Sequence, residues 1–272
     1  MASTIATMTA TRQWPPALVA RGPRADVGVF GGSGFYRFLD GAEAFEVDTP
    51  YGPPSSPVVV GDVGGVRTAF IARHGAAHSV VAHAVNFRAN LYAMAQLGVR
   101  HLVGPCAVGS LQRHLEPGHV VVTDQLVDRT WGRADSFFDG VDGVVNHVSF
   151  ADPYDARLRS LAVSAATAEG LIVHDGGTVV VINGPRFSTR AESRWFSQMG
   201  WSVVNMTQYP EAVLAAELAI PYVGISLVTD YDAGVDRHEA VTMEQVFAVL
   251  NSNIDKVRGV LFRMIPTIMD AE

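Results

Sequence analysis

Cysteine is almost absent from this chain of 272 residues: Cys106 stands alone. A single thiol excludes an intramolecular disulfide and fits a reducing cytoplasm. Basic residues are outnumbered, 20 Lys and Arg against 27 Asp and Glu, for a net charge of −7. With no basic block along the chain, a nucleic-acid partner or an anionic membrane surface is excluded on electrostatic grounds. No run approaches the ~18 consecutive apolar residues that a membrane-spanning helix needs. The first residues, through about Arg21, have neither the basic start nor the apolar stretch of a secretory signal. They read as a loosely ordered extension over 1–24. What is abundant is apolar: 48% of the residues are hydrophobic, enough for one substantial core.

From Val27 onward, strand-like and helix-like patterns alternate. Val27–Phe30 reads as a strand ending in Gly31-Gly-Ser-Gly34, and Val58–Val60 with Arg67–Ile71 as a hairpin. Helical patterns cover Asn86–Gln96, Arg157–Ala168 and Glu211–Leu218. Strands are expected at His101–Val103, Val120–Val122, Thr178–Ile182, Val203–Asn205 and Tyr222–Val228. Thr189-x-x-Glu192 and Thr242-x-x-Gln245 have capping-box spacing, so each opens a helix. The last helix carries an apolar stripe at Val246, Leu250, Ile254, Val257, Leu261 and Ile265. No repeat or composition break divides the chain, and the expected product is one α/β domain over 25–272, a central sheet with helices around it.

Ligands of open α/β sheets bind outside the carboxyl ends of the strands. Two acids, Asp230 and Asp232, stand at such an end, after Tyr222–Val228. A protonated and an ionised carboxyl together complement the adenine edge, which shows an acceptor, N7, beside a donor, the 6-amino group. A solvated or capping pair is the plainer alternative. Other strand ends offer anion donors. Ser33 lies among glycines that let backbone amides approach an anion; Arg73 presents a fixed fork of donors, with His74 beside it. Cys106-Ala107 lies in a small-residue turn, and Thr207 adds a hydroxyl after Met206. Each alone reads equally as a tight turn, a surface cation or core. Together they point to a phosphate site built without a metal. The glycines match neither a dinucleotide fingerprint nor a nucleoside-triphosphate loop.

The chain resembles the trimeric purine nucleoside phosphorylase and methylthioadenosine phosphorylase family. The matching segments include Asp48-Thr-Pro-Tyr-Gly52, Ala72-Arg-His-Gly75, Val85-Asn-Phe-Arg-Ala-Asn90, Gly109-Ser-Leu111 and Gly184-Pro-Arg-Phe-Ser188, with Asn205-Met-Thr207, Pro210-Glu211 and Thr229-Asp-Tyr-Asp232. They run in order over nearly the whole chain. The Asp-Tyr-Asp form resembles the branch that handles 6-aminopurines, since the 6-oxopurine branch usually carries Asn at the first position. The resemblance implies a nucleoside phosphorylase-like α/β fold with a central mixed, partly barrel-like sheet. It implies phosphate binding by Ser33, Arg73, His74, Cys106, Ala107 and Thr207. Met206 would line the ribose, Phe187 would stack on the purine with Ser188 beside it, and Asp230 and Asp232 would read the base. Met243, Val246 and Phe247 would form an apolar wall for a 5′-methylthio group, although the same stripe is needed to bury the last helix. His147 would reach the substrate of a neighbouring subunit in a homotrimer. Arg190 and Glu192 read as structural contacts or caps.

Two departures from the family pattern stand out: Cys106 where Thr or Ser is frequent, and Gln208-Tyr209 where Thr-Val is frequent. The first removes a hydroxyl donor to phosphate, and the second has no consequence readable from sequence. The implied reaction is phosphorolysis of S-methyl-5′-thioadenosine, with Asp230 as general acid, inorganic phosphate as co-substrate and no metal, nicotinamide or flavin. Broader purine nucleoside phosphorolysis and a non-catalytic nucleoside sensor are the alternatives.

Overall fold

The computed structural model describes residues 23–31, 42–140, 144–235 and 241–270. The extension expected over 1–24 lies almost wholly outside these residues, and so does Ser33.

The first strand, β1 (Val27–Gly31), is buried along its whole length. A short β2 (Glu43–Phe45) leads to the hairpin of β3 (Val58–Val63) and β4 (Val66–Ala72). Helix α1 (Phe87–Gln96) starts where the Asn86 side chain accepts from the Ala89 amide. Strand β5 (His101–Ser110) is followed by β6 (Val120–Val122) and β7 (Gln125–Arg129). Then come α2 (Ala156–Ala168), β8 (Val173–Asp175), β9 (Thr178–Ile182) and α3 (Arg190–Gln198). The chain ends with β10 (Val203–Asn205), α4 (Gln208–Glu217), β11 (Tyr222–Tyr231) and α5 (Met243–Asp270).

The strands form one mixed sheet in the order β2-β3-β4-β1-β5-β10-β9-β7. It branches at β5, which also pairs with β11; β6 and β8 continue beyond β11. Among the described residues these pairings branch rather than close into a ring.

Period-two alternation sends successive side chains to opposite faces. Val27 and Val29 pack in one cluster with Leu158 and Ala162 of α2 and Val257 and Leu261 of α5. Phe30 packs in the other, with Leu91 and Met94 of α1 and Leu214 of α4. The helices therefore cover both faces, as the buried, near-continuous apolar strands require. The α5 stripe is used as its spacing predicts: Val246, Leu250, Val257, Leu261 and Ile265 are buried, and Ile254 packs against the same cluster.

Strand β5 positions the site. One of its edges pairs in parallel with β11 from Leu102 to Ser110. The other pairs with β1 only at His101–Val103 and with β10 only at Gly109 and Ser110. Among the described residues, the backbone from Gly104 to Val108 is thus free of strand partners on one edge. Cys106-Ala107, expected in a turn, instead lies within β5, in the middle of that gap, where the missing partner strand leaves one backbone edge open.

Candidate active site

A cavity of about 350 Å³ opens over this gap. Its walls bring together Arg73, His74, Cys106, Ala107 and Thr207 with Met206, Phe187, Ser188, Asp230, Asp232, Met243 and Val246. These come from the ends of β4, β5, β10 and β11, the loop before α3 and the start of α5. Phe247 is not in the lining among the described residues. It packs edge-on against His78, which is, with ring centres 5.8 Å apart. One turn of α5 thus presents Met243 and Val246 to the cavity, while Phe247 also supports the core. His147 is exposed and is not among the residues that line its own chain's cavity.

The carboxyl end of the cavity is built on an irregularity. Val228 pairs with Val108 but Asp230 pairs with Gly109, so Thr229 is an extra residue in β11. Such bulges re-aim side chains beside sites. The Thr229 hydroxyl donates to Asp230 Oδ1 at 2.7 Å. Gly109 supplies the room: a Cβ there would lie 3.1 Å from Asp230 Oδ2 and 3.5 Å from Asp232 Cβ. Burial pushes the Asp230 carboxyl up to about 6; the Thr229 hydrogen bond opposes the rise and the Asp232 charge adds to it. Asp232 is only 2% exposed, and burial raises it as well. The hydroxyls of Ser188 and Ser193 face Asp232 and counter that rise, yet the fit is unfinished. Asp232 Oδ2, Ser188 Oγ and Ser193 Oγ are buried without completing a hydrogen bond among the described residues. Of these, Asp232 and Ser188 line the cavity, where an unpaired acceptor and an unpaired hydroxyl are a place that a polar ligand edge would satisfy.

At the opposite end, Arg73 is 1% exposed. Its Nε donates to Glu211 Oε1, its Nη2 to Glu211 Oε2 at 2.9 Å, and its Nη1 to the Pro105 carbonyl at 3.3 Å. Burial works against the guanidinium charge, but Glu211 outweighs it and the pKa is raised. The pair neutralises the buried cation while fixing its plane at the cavity. Tyr222 donates to Glu211 Oε2 at 3.0 Å, so the carboxylate is itself held. Thr207 precedes α4 without capping it, which leaves its hydroxyl at the cavity wall unspent on the helix. His74 is tied by Nδ1 to the Val80 carbonyl at 2.9 Å. Burial, and then the Arg73 charge, push it down to about 4, so it is neutral at pH 7.

The two departures noted in the sequence meet here. Gln208 Nε2 donates to Cys106 Sγ at 3.2 Å and to Ser226 Oγ at 2.8 Å. Asn205 Nδ2 reaches the same sulfur at 3.4 Å. Thr123 and Tyr154 donate to Gln208 Oε1. The thiol is thus taken up by a buried network, and what Cys106 has left for an anion is its backbone. Tyr209, half-buried against the core, donates to Asp135 at 2.7 Å. Glu192 closes the capping box with Thr189 and pairs with Arg186. That pair fixes the start of α3 beside Phe187 and Ser188. Close packing also fixes Met206: a Cβ on Gly184, whose φ is +66°, would lie 2.5 Å from its sulfur.

The model of the phosphorylase superfamily matches residues 26–266. The chain belongs to the phosphorylase superfamily. An S-methyl-5′-thioadenosine phosphorylase of Mycobacterium tuberculosis is 54% identical to it over 90% of each chain. A purine nucleoside phosphorylase of Streptomyces coelicolor is 51% identical over 88% of each. The methylthioadenosine phosphorylase of Schistosoma mansoni, solved with adenine, superposes with a TM-score of 0.87 at 36% identity, covering 92% of this chain and 93% of that one. The pairing of Glu211 with Arg73 was not readable from sequence, because its partner is 138 residues away. His78 and Val80, which also line the cavity, carried no sequence signal of their own.

Proposed function

We propose that the protein catalyses phosphorolysis of S-methyl-5′-thioadenosine to adenine and 5-methylthioribose 1-phosphate. One observation carries this reading: the same cavity holds a carboxyl raised to about 6 at one end and Arg73 at the other. Cleaving a glycosidic bond to a purine requires both a proton for the leaving base and an anion beneath the sugar. The oxocarbenium-like transition state is familiar from glycosyl transfer. Asp230 donates its proton to N7 as the bond to N9 breaks, and Asp232 accepts from the 6-amino group. Arg73, Thr207 and the Cys106-Ala107 backbone hold phosphate for attack on C1′, with Ser33 and His74 completing the site. Phe187 stacks on the purine, Ser188 flanks it and Met206 lines the ribose. Met243 and Val246 form the apolar wall at the 5′ end, favouring methylthio over hydroxyl. Phosphate is the co-substrate.

His147 stands in an exposed stretch with Val145, whose exposure is 72%. An exposed His147 that does not line its own chain's cavity is compatible with a homotrimer in which it completes a neighbouring site. Among the described residues no helix is long and apolar enough to cross a membrane. The lone, buried Cys106 suits the cytoplasm.

A second reading, wider purine nucleoside use, is favoured by the naming of the Streptomyces coelicolor relative. Phosphate-dependent cleavage of methylthioadenosine and inosine, run side by side, separates the two. The proposal expects kcat/KM to favour methylthioadenosine strongly; equal use of inosine would replace it with the wider one. In Asp230→Asn the ratio should shift toward inosine.

A further inference from the structure

Cys106 of β5 and Thr207, just after β10, line the cavity from two different strands. Helix α4 does little to hold Thr207, because Tyr209 leaves helical geometry at φ −112° and ψ 131° and the regular turns begin only beyond it. Side-chain amides tie the two strands together instead. Asn205 Nδ2 donates to Cys106 Sγ at 3.4 Å, and Asn205 Oδ1 accepts from the Thr207 amide at 3.4 Å. Gln208 Nε2 donates to the same sulfur at 3.2 Å. Gln208 follows Thr207 in the chain, so these contacts close a circuit: Cys106, Asn205, Thr207, Gln208 and back to Cys106. Gln208 is fully buried and its amide is fully used. Its Nε2 also donates to Ser226 Oγ at 2.8 Å, while Thr123, at 3.0 Å, and Tyr154 donate to its Oε1. Cys106 and Ser226 are register partners on β5 and β11, so one amide spans both strands. Gly224 makes the room, since a Cβ there would lie 2.8 Å from Gln208 Cδ.

We infer that Gln208, which does not itself line the cavity, is a positioning residue for phosphate: its amide locks the Cys106 sulfur, and the circuit so closed sets the Cys106-Ala107 backbone and the Thr207 hydroxyl at one spacing. Cys106 and Gln208, the two departures from the family pattern, are then one coupled pair. Sulfur suits the node. It accepts from two amides at 3.2 and 3.4 Å, whereas an N–H···O bond closes at about 2.7–3.2 Å. A hydroxyl at this position would draw one amide in and slacken the other. None of these bonds reaches Asp230, Asp232 or Ser188, so the circuit acts on the anion end of the cavity and leaves the base end alone. The inference rests on the phosphorolysis reading in naming the anion as phosphate; binding of that anion needs no turnover.

The test is calorimetric binding of inorganic phosphate and, separately, of adenine to the full chain, for the wild type, Gln208→Met, Cys106→Ala and the double variant. Gln208→Met keeps the length of the side chain and removes the amide. It should weaken phosphate by about tenfold or more, the range expected when buried partners lose their bond, with adenine binding held within about threefold. Cys106→Ala deletes the node and should do the same; it serves if Gln208→Met does not fold. Both changes open one circuit, so the double variant should bind phosphate little worse than the weaker single one, whereas independent effects would multiply. In steady state the phosphate KM should rise in each variant, with kcat at saturating phosphate changed far less. Multiplying losses, unchanged phosphate affinity in the single variants, or an equal loss of adenine binding, the mark of a merely structural role, overturns the inference. The expected binding pattern in a wild type that releases no adenine would sink the proposed activity and leave this assignment standing. A wild type that binds no phosphate would sink both.

Discussion

Asp230 concentrates the chemistry in one proton. Its carboxyl, raised to about 6 chiefly by burial, is a donor below that pH and a spent base above it. As general acid it should therefore give kcat/KM for methylthioadenosine a fall as pH rises through about 6. The expected profile loses this limb in Asp230→Asn, with the rate itself lower by ~10²–10⁴, the usual worth of general-acid help. An unaltered pH profile in the variant would remove Asp230 from the reaction. The same shift acts on stability with a definite sign. Between the ordinary carboxyl value and about 6 the folded state holds a proton that the unfolded state has lost, so stability declines as pH rises through that window. Glu211 gives a second prediction. Removing it as Glu211→Ala strands a buried guanidinium and should destabilise the fold by ~3–5 kcal/mol in denaturant unfolding. The acid pair was legible in the sequence because both members sit two residues apart at one strand end. The Arg73–Glu211 pair and the Gln208–Cys106 network were not, since each joins residues that only the fold brings together.

Strands and helices set these residues in place, and the elements read from the sequence were those with a continuous buried run or a regular buried stripe. The α5 stripe and both capping boxes were visible because the spacing itself is the cause of the structure. Three short strands, Glu43–Phe45, Gln125–Arg129 and Val173–Asp175, escaped notice. Each pairs on one side only and mixes exposed and half-buried residues, so neither alternation nor a continuous apolar run marks it. The far half of β5 was hidden too, since Gly104 and Pro105 interrupt any strand signal. That interruption is where pairing to β1 and β10 stops and the cavity begins. The Thr229 bulge is likewise a pairing feature with no local signature. At this level Leu261→Ala, at a fully buried position of α5, should lower stability by about 2–5 kcal/mol. Thr189→Ala, which opens the α3 capping box beside Phe187 and Ser188, should cost about 1 kcal/mol. Its KM for methylthioadenosine should rise with kcat little changed, a split that steady-state kinetics will show.

The whole molecule adds a question of assembly to one of chemistry. A trimer with His147 in a neighbouring site predicts a threefold mass by sedimentation equilibrium. It also predicts that His147→Ala impairs methylthioadenosine turnover while leaving phosphate binding intact. A fully active monomer would contradict that arrangement without touching the chemistry. The chemistry has its own test, adenine release from methylthioadenosine by the full chain with and without inorganic phosphate. The prediction is release only with phosphate, matched mole for mole by 5-methylthioribose 1-phosphate. Release that proceeds equally without phosphate, or no release at all, would contradict the proposed reaction.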